Sequence, residues 1–273
     1  VYWNPRLGTE HERIVKMLKP EDVLYDVFAG VGPFSVPAIT ISHVNSVLAN
    51  DLNPESYRYL LENYKINNKS KTRLKEIEKR KLFVKNNTKI PESVLKSDQL
   101  KFNPLDFFIA FNMDGRDFIR NKLKYHLVEI LNYQSVNKIQ EKSNFYVLMN
   151  LPALSLEFLD AFYNLYDLEE TLTIKKVLAS ELLENFKLNV FCYHFCKSDE
   201  GELKQIQENI RQEVYRDQTL NIESKYVRKV APNKDMYCTM FKLQFKHLLY
   251  QNESETSKNN NESRKKNSHS DTD

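Results

Sequence analysis

Apolar positions fall into short unbroken runs separated by stretches with helical spacing, the order expected when buried parallel strands alternate with amphipathic helices. Val23 to Phe28 is apolar apart from Asp26 and runs into a turn, which predicts a first buried strand. Pro33 to Ile41 predicts the helix that follows, and Val47 to Asp51 a second strand. Pro54 stands where a first helical turn tolerates proline, ahead of Tyr57, Leu60, Leu61 and Tyr64 at helical spacing. A polar interval at about 69–103 interrupts the alternation, with weak helical character only around Arg73 to Phe83. Leu105 to Phe111 then predicts a third strand, closed by Asn112-Met113-Asp114-Gly115, and 117–142 reads as largely helical. Phe145 to Met149 is a fourth strand stopped by Asn150-Leu151-Pro152, with a helix from about Leu154 to Tyr166. Leu188 to Cys196 predicts a fifth strand and Glu202 to Arg216 a helix. Lys225 to Val230 and Tyr237 to Phe245 form a closing antiparallel pair across Ala231 to Asp235.

This order predicts an α/β fold: an open, mostly parallel seven-stranded sheet with a C-terminal antiparallel hairpin, its ligand at the carboxyl ends of the strands. One domain is expected over 1–250, and the Asn, Ser, Lys and Glu-rich stretch 251–273 is expected to be a disordered tail. At 273 residues and 41% hydrophobic, the chain can bury a full core. No run approaches the roughly 18 to 20 apolar residues of a membrane span, and no basic-then-apolar signal opens the sequence, so a soluble chain without a membrane partner is expected.

Charge is local. The formal net charge is +3, yet residues 65–101 hold twelve Lys/Arg against four Asp/Glu, which leaves the remainder acidic at −5. That segment reads as a solvated insertion or as a phosphate-contacting patch. Three cysteines without paired C-x-x-C spacing (Cys192, Cys196, Cys238) argue against disulfides or zinc and for a reducing compartment. The histidines outside the N-terminal segment (His43, His126, His194, His247, His269) show no ligand spacing, so no metal is expected.

Glycine carries the most information. Average usage near 7% would give roughly 19. The chain has five, two of them in one three-residue stretch. Asp26-Val27-Phe28-Ala29-Gly30-Val31-Gly32-Pro33 joins the first strand to the first helix, and glycines 30 and 32 allow a tight turn lying against a ligand. The third glycine of a dinucleotide fingerprint is missing, since position 35 is Ser35. An acidic residue opening the loop disfavours phosphate and suits a cationic ligand such as S-adenosylmethionine, which carries a sulfonium, an ammonium and a carboxylate.

Asp51, at the end of the second strand, can accept both hydrogen bonds of a ribose diol, or serve as N-cap for the helix entered at Pro54. Asp114 can accept from an adenine amino group while Gly115 leaves room for the ring, or the pair is an ordinary Asp-Gly turn. The Asn150 amide can donate and accept at once, as the edge of a nucleobase requires. Thr9 followed by Glu12 reads as a capping box, which offers a structural role for the Glu10 segment.

Six segments together resemble the eukaryotic and archaeal tRNA (guanine-37-N1) methyltransferase family: Val1 to Ile14, Asp26 to Ala38, Ala49 to Leu60, Phe111 to Ile119, Met149 to Phe162 and Val227 to Cys238. The resemblance implies a Rossmann-like class I methyltransferase domain with S-adenosyl-L-methionine against His11, Asp26, Phe28, Gly30, Gly32, Asp51, Leu52, Asp114, Gly115 and Asn150. It implies that Glu10 is the general base for the guanine N1 proton, that Asn150 and Arg6 serve the reaction, and that Tyr2 and Trp3 stack or pack near a flipped base. The implied partner is the tRNA anticodon loop, the implied state a monomer, and the implied compartments cytoplasm, nucleus or mitochondrial matrix. The family's upstream RNA-binding region has no counterpart in the sequence, so a fragment is expected. Rival readings are an aminocarboxypropyl transferase of the wybutosine pathway and a non-catalytic RNA-binding module on the same fold.

Overall fold

Strands β1 (Val23–Asp26), β2 (Ser46–Asn50), β3 (Phe108–Phe111), β4 (Phe145–Met149), β5 (Leu188–Cys196), β6 (Ile222–Ala231) and β7 (Lys234–Leu243) join in one sheet of order β3-β2-β1-β4-β5-β7-β6. The computed structural model describes residues 7–68, 107–136, 139, 143–197 and 200–251. The basic interval, the tail and Tyr2, Trp3 and Arg6 lie outside the described residues.

Strands β3 to β5 along that order are parallel, and β7 pairs antiparallel with both β5 and β6. All four residues of β1 and all five of β2 are buried. A strand covered on both faces is largely apolar, which is why these segments read as nearly unbroken runs. Alternate side chains serve two cores: Val23 and Tyr25 face one, Leu24 the other.

The second core is closed by α1 (Gly8–Met17), α2 (Ser35–Thr40) and α3 (Pro54–Asn67), through Ile14, Phe34, Ile39 and Leu60. On the other face lie α4 (Gly115–Phe118), a π-helical turn at Ile119–Leu123 and α5 (Lys124–Val136). The predicted helix after β4 is a 3-10 helix, Ser155–Phe162, started by Ser155 N–H bonding Leu151 O at 2.8 Å and anchored by Ser155 Oγ on Tyr193 O. Three helices have no counterpart among the predicted elements: α6 (Leu168–Val177), α7 (Ser180–Glu184) and a short one that begins at Phe245, where the last strand was expected to end. The predicted Glu202 to Arg216 helix is α8 (Glu200–Asn209) followed by a π-helical turn, and α9 (Phe245–Leu248) follows the last strand. The Thr9 capping box does not form: Leu7 is the N-cap of α1, no side chain caps it, and Glu12 instead pairs with Lys16 at 2.8 Å.

Sequential strands β1 to β3 run outward in one direction, and β4 returns to pair on the other side of β1. The order reverses there. Asp26 sits level with Ala49 of β2 and Leu148 of β4, so the carboxyl ends of the central strands share one edge. Loops leaving that edge on either side of β1 part from one another and open a crevice.

Candidate active site

The turn after β1 is built before any ligand arrives. Gly30 and Gly32 have φ of 56° and 89°, the left-handed region that side chains disfavour. A Cβ at Gly32 would lie 2.7 Å from both Leu60 Cδ1 and Val36 Cγ2, so this glycine also lets α3 pack against the turn. Ala29 N–H bonds Asn50 O at 2.7 Å, Gly30 N–H bonds Asp51 Oδ2 at 2.8 Å, and Asn63 Nδ2 donates to Val31 O at 2.9 Å.

Asp26 ends β1 with no exposed surface. Its Oδ2 accepts from Ser35 Oγ at 2.5 Å, while Oδ1 is buried with no partner. Burial pushes this carboxyl up to about 7; the Ser35 hydroxyl pulls it down and the neighbouring Asp51 charge pushes it further up. Across the reversal of strand order, Asn150 Oδ1 is likewise buried and unpartnered. An orphaned buried acceptor costs about 1–3 kcal/mol, so two at one crevice point to donors supplied from outside the protein. An ammonium group fits Asp26 Oδ1, because it would both satisfy the oxygen and favour the ionised carboxylate.

Asp51 is not the cap of α3. That role falls to Asn53, whose side chain accepts from Glu55 N–H at 2.9 Å, while Asp51 Oδ1 accepts from Asn53 N–H at 2.9 Å. Asp51 thereby clasps the glycine turn with one oxygen and its own loop with the other, and a carboxylate has about two further acceptor sites for a diol. Leu52 beside it is 67% exposed, an apolar surface that none of the described residues covers. Asp114 caps α4, its Oδ1 accepting from Arg116 N–H at 2.8 Å.

Gly115 has a packing reason that the sequence did not suggest. A Cβ there would meet Phe28 Cε1 at 2.8 Å and Phe158 Cε1 at 3.0 Å. The missing side chain makes room for these two rings, packed edge to face at 5.0 Å. Asn50 escaped the sequence reading altogether. Fully buried, it donates from Nδ2 to Val27 O and Met113 O and accepts from Met113 N–H, tying the ends of β1, β2 and β3 together. Asn112 repeats the device outside it, donating to Asp51 O and Leu52 O.

Glu10 and His11 lie on α1, both buried. Glu10 is held by Arg13, with Nε to Oε2 at 2.8 Å and a second guanidinium nitrogen to Oε1 at 2.5 Å, and by the Tyr193 hydroxyl on Oε1 at 2.9 Å. Burial pushes its carboxyl up, but the Arg13 hydrogen bond and charge and the Tyr193 hydroxyl outweigh that, so it lies below the usual range. His11 packs edge-on against Phe34 at 4.6 Å, and burial holds its ring below the ordinary imidazole value.

Beside the Asn150 turn opens a cleft of about 440 Å³, walled by Pro152, Leu154, Leu156, Glu157, Phe195 and Lys234. The Lys234 ammonium stands 4.1 Å from the Phe195 ring centre. Lys234 falls in the Val227 to Cys238 segment while Phe195 falls in none of the six, and the two come together because β7 folds back on β5. Among the described residues no three His, Cys, Asp or Glu side chains are grouped as a metal centre needs, and no helix is long and apolar enough to cross a membrane.

Residues 1–99 match the model of the TRM5/TYW2 methyltransferase domain. A tRNA (guanine(37)-N(1))-methyltransferase from Xenopus tropicalis is 42% identical over 94% of the chain, and one from Homo sapiens 36% over 95%. The chain is similar to the TRM5/TYW2 methyltransferases over most of its length. It spans about two-fifths of those relatives, 41% and 40% of their lengths. The fold is that of the family's Rossmann-like methyltransferases: the crystal structure of M. jannaschii TYW2 in complex with AdoMet superposes with a TM-score of 0.50 at 18% identity, over 89% of this chain and 78% of that one. The Asp26 crevice, the Asp51 clasp and the Asn150 turn lie at the carboxyl ends of the strands, where open α/β sheets hold their ligands.

Proposed function

We propose that the protein methylates N1 of guanosine 37 in the tRNA anticodon loop, using S-adenosyl-L-methionine. The observation that carries this reading is the pair of buried, unpartnered acceptors, Asp26 Oδ1 and Asn150 Oδ1, on either side of the strand-order reversal. The named activity of relatives 35–42% identical over most of the chain gives the reaction.

When bound, the cofactor supplies a methyl group on a sulfonium that leaves as a neutral thioether. Asp26 Oδ1 would accept from its ammonium, Asp51 from the ribose diol and Asp114 from the adenine amino group, with Leu52 and Phe28 against the rings. Gly30 and Gly32 keep the backbone turn free of side chains, and His11 closes the near side from α1. Asn150 reads the edge of the guanine, whose base enters by way of the Pro152–Phe195 cleft. Neutral guanine carries a proton on N1, so its lone pair is unavailable until a base takes that proton; Glu10 is assigned that part. Arg6 is assigned to RNA phosphate. N1 is occupied in a paired base, which is why a loop nucleotide turned outward is the substrate. The reaction needs one copy of the chain and no metal, in a compartment that holds tRNA.

Full-length protein and its Glu10→Gln variant, given tRNA with guanosine or adenosine at position 37 and cofactor labelled separately in the methyl and aminocarboxypropyl groups, test the reading. Methyl label on guanosine-37 tRNA with wild type alone is expected. Transfer of the aminocarboxypropyl label would reassign the enzyme, and no transfer of either label would leave an RNA-binding module.

A further inference from the structure

The carboxylate assigned as base is buried to 6% exposure, a setting that by itself would hold it protonated and useless as a proton acceptor. We propose that Arg13 and Tyr193 are positioning residues for the methyl transfer, keeping the Glu10 carboxylate ionised and fixed while leaving one acceptor site for the guanine N1 proton. The inference rests on the reading of Glu10 as the base.

The count of acceptor sites supports it. An ionised carboxylate has about four. Oε1 takes two hydrogen bonds, from Arg13 and from the Tyr193 hydroxyl; Oε2 takes one, from Arg13 Nε. One site is unfilled, and it is on Oε2. In the transfer the N1–H bond breaks, the proton passes to Oε2, and the electron pair stays on N1 as the nucleophile, while the guanidinium and the hydroxyl keep their own protons.

The clamp is itself held from three directions. Tyr193 is 1% exposed in the middle of β5, so its hydroxyl cannot swing away. Its ring leans on Phe34 of the glycine turn at 6.0 Å, which couples the base to the cofactor cradle. Arg13 lies over the Phe191 ring at 6.0 Å, one strand position pair away on the same face.

Other titratable groups facing Glu10 do not replace Arg13. His11, its neighbour on α1, is held below the ordinary imidazole value by burial and is neutral at physiological pH. Cys238 on β7 is pushed up to about 12 by burial and stays a thiol. Lys225 on β6 adds the weakest of the attractions. The Arg13 fork is therefore the one strong counter-charge among the described residues, and an opposite charge at this range lowers a carboxyl by ~1–3 pH units.

The test is the single-turnover methylation rate of full-length protein on guanosine-37 tRNA at saturating cofactor, from pH 5.5 to 8.5. Wild type is compared with Arg13→Gln, Arg13→Lys, Tyr193→Phe and Glu10→Gln. Expected is a variant-to-wild-type ratio that climbs with pH for Arg13→Gln, falling about tenfold per unit below a limb displaced upward by ~1–3 units. Arg13→Lys and Tyr193→Phe should show the same slope with smaller displacement, and they carry the test if Arg13→Gln does not fold. Cofactor affinity by calorimetry should be unchanged in all. A ratio independent of pH in the variants that fold, with Glu10→Gln inactive, would overturn the positioning role and leave the base in place. A Glu10→Gln protein as fast as wild type would remove the base assignment, and the positioning role with it.

Discussion

Asp51 does three things with two oxygens. It holds the Gly30 N–H at 2.8 Å and the Asn53 N–H at 2.9 Å, and the remaining acceptor sites are those assigned to the ribose. Replacing it with Asn swaps one acceptor for a donor, so one of the two backbone N–H groups loses its partner and one ribose hydroxyl loses a charged one. Hydrogen bonds to a charged group are worth about 1.5–3 kcal/mol, so Asp51→Asn is expected to weaken cofactor binding by roughly 10- to 150-fold with the fold intact. Isothermal titration against the demethylated cofactor checks it; unchanged affinity would take Asp51 out of the site. The acidic residues were visible in the sequence because chemistry selects the type and the strand end selects the place. Asn50 was not, because a buried amide next to a more suggestive Asp looks like any other strand residue. Its three bonds, to Val27, Met113 and Met113 again, exist only once three strands are side by side.

At the scale of elements, the sharpest consequence is at Gly115, where α4 begins. Its substitution by alanine places a Cβ at 2.8 Å from one ring and 3.0 Å from another. Forcing a methyl group into a filled core costs about 1–3 kcal/mol, against at most about 1 kcal/mol regained from alanine's helix preference. Gly115→Ala should therefore lower the melting temperature by a few degrees, whereas Gly8→Ala, which meets nothing within 4 Å, should leave it unchanged or slightly raised. Equal melting temperatures would show that Phe28 and Phe158 can move aside. All seven strands could be read from the chain: β1, β2 and β5 as apolar runs covered on both faces, and β6 and β7 from the short turn between them. Helix α6 could not be read from apolar spacing, since Leu168 and Leu172 are exposed. The legible signal there was different: Asp167 and Glu170 form a capping box, each side chain bonded to the other's backbone N–H. The apparent box at Thr9 and Glu12 failed because α1 starts two residues early, at Gly8 with Leu7 as its N-cap, and Glu12 is drawn to Lys16.

Across the whole molecule, burial has been spent on ionisable groups of both kinds, and their effects on stability oppose each other. Asp26 and Glu129 are both pushed up to about 7 by burial. A carboxyl whose folded value is raised binds a proton more tightly folded than unfolded, so its contribution is lost as pH climbs from about 4 toward 7. His11 and His194 are held below their ordinary value by burial, so they contribute above about 6.5 and lose that contribution as pH falls. The two trends oppose each other as pH rises, so the unliganded protein should lose less stability toward pH 7 than the two carboxyls alone would remove. A cationic ligand breaks the balance. By pairing with Asp26 Oδ1 it favours the ionised carboxylate, so binding at pH 6 must expel close to one proton from a group titrating near 7. Affinity should then rise about tenfold per pH unit up to about 7 and level off, and ligand-induced stabilisation in urea melts should grow over the same range. Titration calorimetry at pH 6 in two buffers of different ionisation enthalpy reads the expelled proton directly. Asp26→Asn should abolish both the proton release and the pH dependence; a wild-type protein that binds the cofactor with no proton exchange would place the ammonium away from Asp26.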